Sequence, residues 1–481
     1  MRRTGFVLIA VVVVVAAAIL VATGAIFAAR GATVSARAAD LERRLRDAAL
    51  DGVAVAAERL RADRVRLLAG GDPADDAMLV EVADGARRLE VRLVPQWSGK
   101  PFASEAAKLD VNLAPPDALA RLSDALGDAS GSIVDGMAAM RPVSSVDSIA
   151  ASAGGGAGPE LVLGPLRLIG VEREDFDDST DASRRRELVP PLLDLLTAHG
   201  AEPLVNAEGD PKLDLLAVFA EGSGRMSAAS LAEFEDAERE ALASLARAKP
   251  DDSRDDGAIA RALLSRGVAP ERVDAILGSC TLEAGTHGSP RIDIVRADRR
   301  VLAAIDGIGP DLAARIIDLR DSLDEAERRG TAWLVGRRVL TPEQYAAVAG
   351  RVTHRSALWR FRVEARIAVP EEAGSAPVDG EPRATGAFDC IVDIAPEHPR
   401  IVFLRDVTLL PTARALALVI APPAESAGEQ ADADAPEQGP AQERAADFDF
   451  RAPEATIREP SVEAPSRPLV APTGRDVPKS R

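Results

Sequence analysis

From Phe6 to Ala29 the chain carries 24 consecutive residues without an ionisable side chain. Coiled as a helix, such a run covers about 36 Å, enough to cross the hydrocarbon core of a bilayer. Arg2 and Arg3 precede it, and the positive-inside bias then keeps the short N-terminus in the cytoplasm and sends the bulk of the chain across. A cleaved secretory signal is the rival reading; its apolar region is usually about 7–15 residues with a small-x-small site behind it, which Ala25–Ala29 imitates. The apolar spacing does not stop at the membrane. Leu41, Leu45, Ala48, Ala49, Gly52, Val53, Ala56 and Leu60 recur at intervals of three and four, so the spacing predicts one helix from near Phe6 to about Leu68.

A chain of 481 residues has room for about three domains. Its 58 basic and 76 acidic residues leave a net charge of −18, which argues against general affinity for nucleic-acid phosphate or anionic lipid. With 47% hydrophobic but only 3% aromatic residues, its core is built from Ala, Leu, Val and Ile. Two cysteines, Cys280 and Cys390, are too few for a disulfide scaffold, although in an oxidising compartment they could pair with each other. Four scattered histidines offer no metal cluster, and no GxSxG, HExxH or GxxxxGK[ST] string occurs, so no enzyme is expected.

Past the long helix, LVEVADGARRLEVRLV places Asp84-Gly85 between two short alternating runs, a hairpin from Leu79 to Val94. An offset of 183 residues then aligns Lys108–Val134 with Arg291–Ile317 without a gap. The second copy, with Ile305, Gly307, Ile308, Gly309, Ala313 and Ile316, has the form of a helix-hairpin-helix; Gly127 and Ser132 are what remain of the turn in the first. Between the copies, Arg184–Leu196 and Ala228–Ala248 are helical in pattern, and the stretch from about Phe102 to Val348 should be mostly α. In LWRFRVEARI, Trp359, Phe361, Val363, Ala365 and Ile367 alternate with charged residues, predicting a strand with one buried and one wet face. Phe388–Ile394 and Ile401–Leu404 repeat the rhythm and should join the early hairpin in an antiparallel sheet. From Pro422 to Arg481 the apolar pattern vanishes, and 10 prolines with 12 acidic residues predict a disordered tail.

The Gly307-Ile308-Gly309 turn can be read as a phosphate cradle or as a packing device. Ten arginines stand against nine acidic residues in Arg291–Leu340, so the basic footprint of a DNA reader is missing and packing is expected. Asp293, Asp298, Asp306 and Asp311 have the chemistry of calcium ligands, but their spacing fits a solvated helical face better than a calcium loop. His354, beside Arg355, reads as a surface residue where the strand begins.

A basic leader ending in Gly5, a membrane helix opening on Phe6, a long amphipathic continuation, a small sheet and a helical insertion closed by strands resemble the K-type minor pseudopilin of type II secretion (general secretion pathway protein K). AALDGVAVAAERL (Ala48–Leu60) is similar to the family's segment after the membrane span, KLDVNLAPPDALARL to the stretch leading into its first hairpin, and VTHRSALWRFRVEARI (Val352–Ile367) to its return strand. Departures are Pro95 and Gln96 where many relatives are acidic, the glycine pair missing from the first hairpin, and the long tail. The resemblance implies an α+β fold, a pilin-like long helix packed on a small antiparallel sheet, with a large inserted all-α region containing helix-hairpin-helix repeats at about 108–150 and 291–348. It divides the chain into a leader 1–5, a membrane segment 6–29, shaft and hairpin 30–101, insertion 102–350, closing strands 351–421 and tail 422–481.

The same resemblance implies cleavage between Gly5 and Phe6 by prepilin peptidase, with N-methylation of Phe6. The fifth mature residue is then Ala10, where most pilin-like subunits carry a glutamate that neutralises a neighbour's N-terminal amine in the apolar filament. K-type subunits typically lack it, in keeping with a subunit that caps the tip. Implied partners are the I- and J-type minor pseudopilins, the major pseudopilin and secreted substrates, at an inner membrane crossed once with the bulk periplasmic. No cofactor is required, although K-type relatives can bind calcium. The competing reading is a membrane-anchored extracytoplasmic DNA receptor of the competence type, resting on the helix-hairpin-helix alone.

Overall fold

The computed structural model describes residues 4–84, 87–96, 98–146, 190–219, 233–247, 256–368 and 385–408, all within one compact unit, Met1–Glu425. The expected tail 422–481 lies outside them, as do Gly85 of the expected turn and residues 184–189 of the expected Arg184–Leu196 helix. The protein is mixed helix and sheet, with a long N-terminal apolar helix and an antiparallel sheet.

Helix α1 (Thr4–Ala62) runs for 59 residues, about 89 Å. Every residue from Val11 to Ala39 is exposed; protein contact begins at Asp40 and Leu41 and becomes continuous burial at Leu45, Ala48, Ala49, Gly52, Val53, Ala56 and Leu60. The helix ends six residues before the expected Leu68. Asp63 (φ −91°, ψ 2°) interrupts it, its carboxylate held by Arg66 at 2.6 Å, and a second short helix α2 (Arg64–Leu68) sets off to bury Leu67 and Leu68. Asp is a poor residue for a helix interior because its side chain competes for nearby donors.

The buried stripe of α1 lies on a six-stranded sheet formed by β1 (Met78–Asp84), β2 (Arg87–Val94), β3 (Phe102–Ser104), β4 (Leu358–Ile367), β5 (Thr385–Asp393) and β6 (Arg400–Asp406). The order is β1-β2-β4-β5-β6, all antiparallel, and β3 shares one side of β4 with β2, pairing with Trp359–Phe361 while β2 takes Arg362–Ile367. The hairpin closes with Asp84 opposite Arg87, so its two connecting residues are 85 and 86, one step beyond the expected Asp84-Gly85. The early hairpin and the late strands meet in one sheet, as the alternating pattern predicts. Trp359, Phe361, Val363 and Ala365 of β4, with Phe388, Cys390 and Val392 of β5, face α1. Gly386 permits the closest approach: a Cβ built there would stand 2.5 Å from the Leu45 carbonyl carbon and oxygen.

The other face of β4 is not wet. Arg360, Arg362 and Glu364 are each at most 4% exposed. Arg360 pairs with Asp389 on β5 and lies 5.9 Å over the Phe403 ring, Arg362 reaches Asp389 at 3.5 Å, and Arg366 pairs with Glu90 at 2.8 Å. Alternation in sequence marked the charged face correctly but not its burial, because cross-strand partners for those charges lie 27 residues or more away in the chain.

Between β3 and β4 lies the inserted region, with a core of its own that includes Leu119, Leu122, Leu195, Leu242, Ile259, Val301, Ile316 and Tyr345. Helices predominate, among them α3 (Pro116–Leu126), α4 (Asp128–Ala139), α5 (Arg299–Ala304) and α6 (Pro310–Arg320). It is not purely helical. Two-residue strands pair Leu109 with Leu196, Leu213 with Cys280, Ile292 with Val352 and Glu202 with Gly288, because the extended chain between helices must find partners for its backbone groups. The helix within the expected Ala228–Ala248 spans Asp236–Arg247. Cys280 and Cys390 are both free, one buried in each core, so the disulfide is not formed.

Replacing Gly386 with Val should push β5 off α1 and cost about 1–3 kcal/mol, as overpacking does; chemical unfolding of the purified protein in detergent would read this as a lowered midpoint.

Candidate functional site

Two features expected to carry function fall within the described chain: the exposed shaft of α1 and the turn at Gly307-Ile308-Gly309. Gly5 and Phe6 lie in the first turn of α1, and Ala10 a little over a turn later, with no helix break between them and the exposed segment. Among the described residues one helix is long and apolar enough to cross a membrane, with a window of mean hydropathy 2.8 near the N-terminus and none of it buried. Val11–Val15, Ile19, Leu20, Val21, Ile26 and Phe27 are between 51% and 76% exposed. Leaving these in water would cost on the order of 10 kcal/mol, so the shaft requires lipid or other helices around it.

At the turn, the Asp298 carboxylate accepts from Arg300 N–H to cap α5, Gly307 takes φ +89°, and Pro310 opens α6. Gly127 (φ +75°) stands between α3 and α4, three residues beyond the place that the 183-residue offset matches to Gly307. Ile305 and Ile308 point into the core, at 5% and 1% exposure. The two helix pairs are packed together: the Arg121 guanidinium on α3 donates to the Ala304 carbonyl that ends α5, at 2.9 and 3.0 Å. Asp306 and Asp311 flank the turn, Asp306 paired with Arg351 at 2.8 Å, and would repel a phosphate. Arg320 turns inward to the Ile294 and Ala297 carbonyls, and Arg315 donates to the Arg338 carbonyl. Arg291, Arg296, Arg300, Arg329 and Arg337 of the same stretch pair with carboxylates.

The four aspartates weighed for calcium do not converge. Asp293, fully buried, pairs with Arg296 and accepts from Ser104; Asp298 caps α5, Asp306 holds Arg351, and Asp311 sits in the first turn of α6. Among the described residues no three His, Cys, Asp or Glu side chains come together as metal ligands.

The motif at Lys108-Leu109-Asp110-Val111 has a second relative that a single offset misses: Lys212-Leu213-Asp214-Leu215, between it and Arg291-Ile292-Asp293-Ile294. All three form a two-residue strand running parallel to one that ends in threonine, Thr197, Thr281 or Thr353. In each, the aspartate accepts from the backbone N–H two residues on, at 2.7, 2.9 and 3.0 Å. The unequal distances between the three, 104 and then 79 residues, defeat an ungapped comparison.

What sequence reading missed altogether is the polar junction that joins the insertion to the sheet. Arg296 donates to Asp72 (2.8 Å), Asp293 (2.7 Å) and the Gly70 and Gly71 carbonyls (2.9 Å each), with its guanidinium 5.3 Å over Trp359 of β4. Arg64 of α2 donates to the carbonyls of Gly209 and Ile394–Pro396. His287 Nε2 meets the buried Asp393 carboxylate at 3.2 Å, and Thr286 Oγ1 meets its Nδ1 at 3.0 Å. Glu105 takes Lys108 and the Thr197 hydroxyl; burial pushes its carboxyl up, but Lys108, Arg360 and these hydrogen bonds outweigh burial and hold it low. His354, expected at the surface, is half-buried: its ring packs where a Cβ on Gly70 would stand 2.7 Å away, and burial lowers its affinity for a proton.

A second buried cluster gathers Lys212, Arg291 and Arg355 with Glu202 and Asp256. Lys212 Nζ donates to the Leu277 carbonyl at 2.9 Å, and burial, reinforced by Arg291, depresses its pKa to about 7.

The chain matches no protein-family model and no curated protein.

Two predictions follow from the buried charges. Arg296→Met strands Asp293 and should cost about 3–5 kcal/mol in chemical unfolding, as loss of one partner of a buried pair does. For Lys212, the folded pKa of about 7 lies below the unfolded 10.5, so the unfolded state holds more protons between those values. Stability should therefore rise with pH across that window, by about 2 kcal/mol between pH 7 and 9, and the rise should vanish in Lys212→Met.

Proposed function

We propose that the chain is a K-type minor pseudopilin of a type II secretion system, a non-catalytic subunit that caps the pseudopilus tip, helps start its assembly and engages secreted proteins. The supporting observation is the division of labour along α1: exposed and apolar from Val11 to Phe27, then packed from Leu45 to Leu60 on an antiparallel sheet, with a helical region inserted between β3 and β4. A helix of this kind can be stored in the inner membrane with its N-terminus cytoplasmic and its head periplasmic, and be withdrawn later to pack among other subunits. Cleavage after Gly5 frees the Phe6 amine for methylation. Ala10 leaves this subunit without the carboxylate that would receive a later subunit's amine, which suits the terminal position. The helix-hairpin-helix repeats serve as packing units of the head. Partners on this reading are the I- and J-type and major pseudopilins, prepilin peptidase and substrate proteins, and no cofactor is required.

The N-terminal mass of the chain from its native membrane tests the reading. The expected result is a mature chain beginning at methylated Phe6, with Met1 retained in cells lacking prepilin peptidase; cleavage near Ala29 or an unprocessed Met1 in both would overturn it. The DNA-receptor reading instead requires sub-micromolar, steeply salt-dependent binding of duplex DNA, and Asp306 and Asp311 beside the turn speak against that.

A further inference from the structure

The first acidic residue in the chain is Asp40, and the four charged side chains before it are all arginines: Arg2 and Arg3 ahead of the apolar run, Arg30 and Arg37 behind it. Arg30 follows Ala29 directly, and α1 continues through both positions without a break. Residues 30–39 form a bare neck, every one of them exposed, between the apolar run and the first contact with the rest of the protein at Asp40. Asp40 stands one turn beyond Arg37, but its carboxylate is held by Arg43 at 2.9 Å and by Arg44 at 2.8 Å. Among the described residues no carboxylate is left for Arg30 or Arg37.

The apolar run fixes where these two arginines stand. Its 24 residues cover about 36 Å as a helix, against about 30 Å of hydrocarbon and about 40–45 Å of bilayer with its headgroups. With the run centred in the hydrocarbon, Arg30 stands at the depth of the phosphates on the far side. Arg37 follows about 10 Å farther along the axis and within about 20° of the same face. In a helix every Cα–Cβ bond tilts toward the N-terminus, so past the membrane both side chains lean back toward the bilayer, and the long arginine stem carries its head group with them. The positive-inside bias disfavours basic residues beside a span on the side that receives the bulk of the chain. Two of them there, with no carboxylate at hand, point to an anion that the membrane itself supplies. The acidic surplus of the whole chain does not oppose such a contact, because screening over about 8–10 Å leaves each guanidinium to act on what lies next to it.

We propose that Arg30 and Arg37 form an anionic-phospholipid site at the rim of the span, their guanidinium groups donating to headgroup phosphates of the leaflet that faces the folded head. The planar fork of a guanidinium matches two phosphate oxygens at once. A lipid with no ammonium of its own leaves its phosphate uncompensated, so acidic lipids are taken in preference to zwitterionic ones. The contact ties the neck to the bilayer while the chain is anchored there, and it must be given up before the helix can be withdrawn. This inference rests on the membrane-spanning part of the reading above and not on its role in secretion.

The full-length chain reconstituted in phosphatidylcholine liposomes tests it, with a trace of spin-labelled phosphatidylglycerol or spin-labelled phosphatidylcholine and the fraction of label immobilised at the protein as the readout. The expected result is a several-fold preference for phosphatidylglycerol in the parent chain, with each arginine contributing up to about fivefold. The preference should fall several-fold in the Arg30→Gln/Arg37→Gln double variant and be largely kept in Arg30→Lys/Arg37→Lys, which preserves the charge. No preference in the parent, or an equal one in parent and double glutamine variant, would overturn the proposal. A double variant that keeps its lipid preference but loses binding to other subunits would also overturn it and assign the arginines to a protein carboxylate. Release of the parent chain from membranes by alkaline carbonate would instead overturn the membrane-spanning reading, a failure distinct from any change in lipid preference.

Discussion

The contact between the Leu45–Leu60 stripe of α1 and the sheet is the one on which the rest of the structure depends. A helix of 59 residues has about 50 Å of shaft with no protein to lean on, and only the last third is held. That third must resist whatever acts on the free end, and it is packed accordingly. Gly52 and Gly386 bring helix and strands together without an intervening side chain, while Trp359, Phe361 and Val363 fill the space around them. The sheet can serve as this platform because its early hairpin and its late strands are joined through β4, so the 253 residues inserted between β3 and β4 hang from a closed base.

The insertion meets that base through charge more than through apolar surface. Arg296, Arg355 and Arg64 each reach carbonyls of the other part, and Asp293 and Glu202 are nearly inaccessible to water. Buried pairs of this kind add little net stability over apolar packing, but breaking one partner is expensive. The consequence is a junction with a defined geometry, because a guanidinium that serves three or four acceptors at once cannot slide. The cost of holding charges out of water is visible in Lys212, whose ammonium is depressed by burial, and in Asp194, whose carboxyl burial pushes up against the pull of Lys108 and Arg360.

Much of the frame was legible in the residues because it rests on period. The 3.6-residue spacing picked out the buried stripe of α1 residue by residue, and the alternating apolar runs placed β2, β4, β5 and β6 and, for β4 and β5, the face turned to the core. Where the helix ends was less legible, since α1 breaks at Asp63 while the apolar pattern continues to Leu67 and Leu68. The turn at Gly307 was readable because only glycine is comfortable at φ +89°. Its surroundings were not: that Ile308 faces inward and Arg320 caps carbonyls depends on which helices pack against it. The middle Lys-Leu-Asp segment was present in the letters but hidden by unequal spacing.

By itself the sequence determined the apolar shaft, the stripe beneath it, the sheet-forming segments and the helical character of the insertion, because each is a property of neighbours along the chain. Tertiary structure alone decided the burial of the β4 arginines, the junction built on Arg296, the separation of the four aspartates and the free state of Cys280 and Cys390. Each of these depends on groups far apart in the chain, up to 226 residues between Arg296 and Gly70. No local pattern encodes a partner at that distance; it exists only once the sheet has closed and the insertion has folded back onto it.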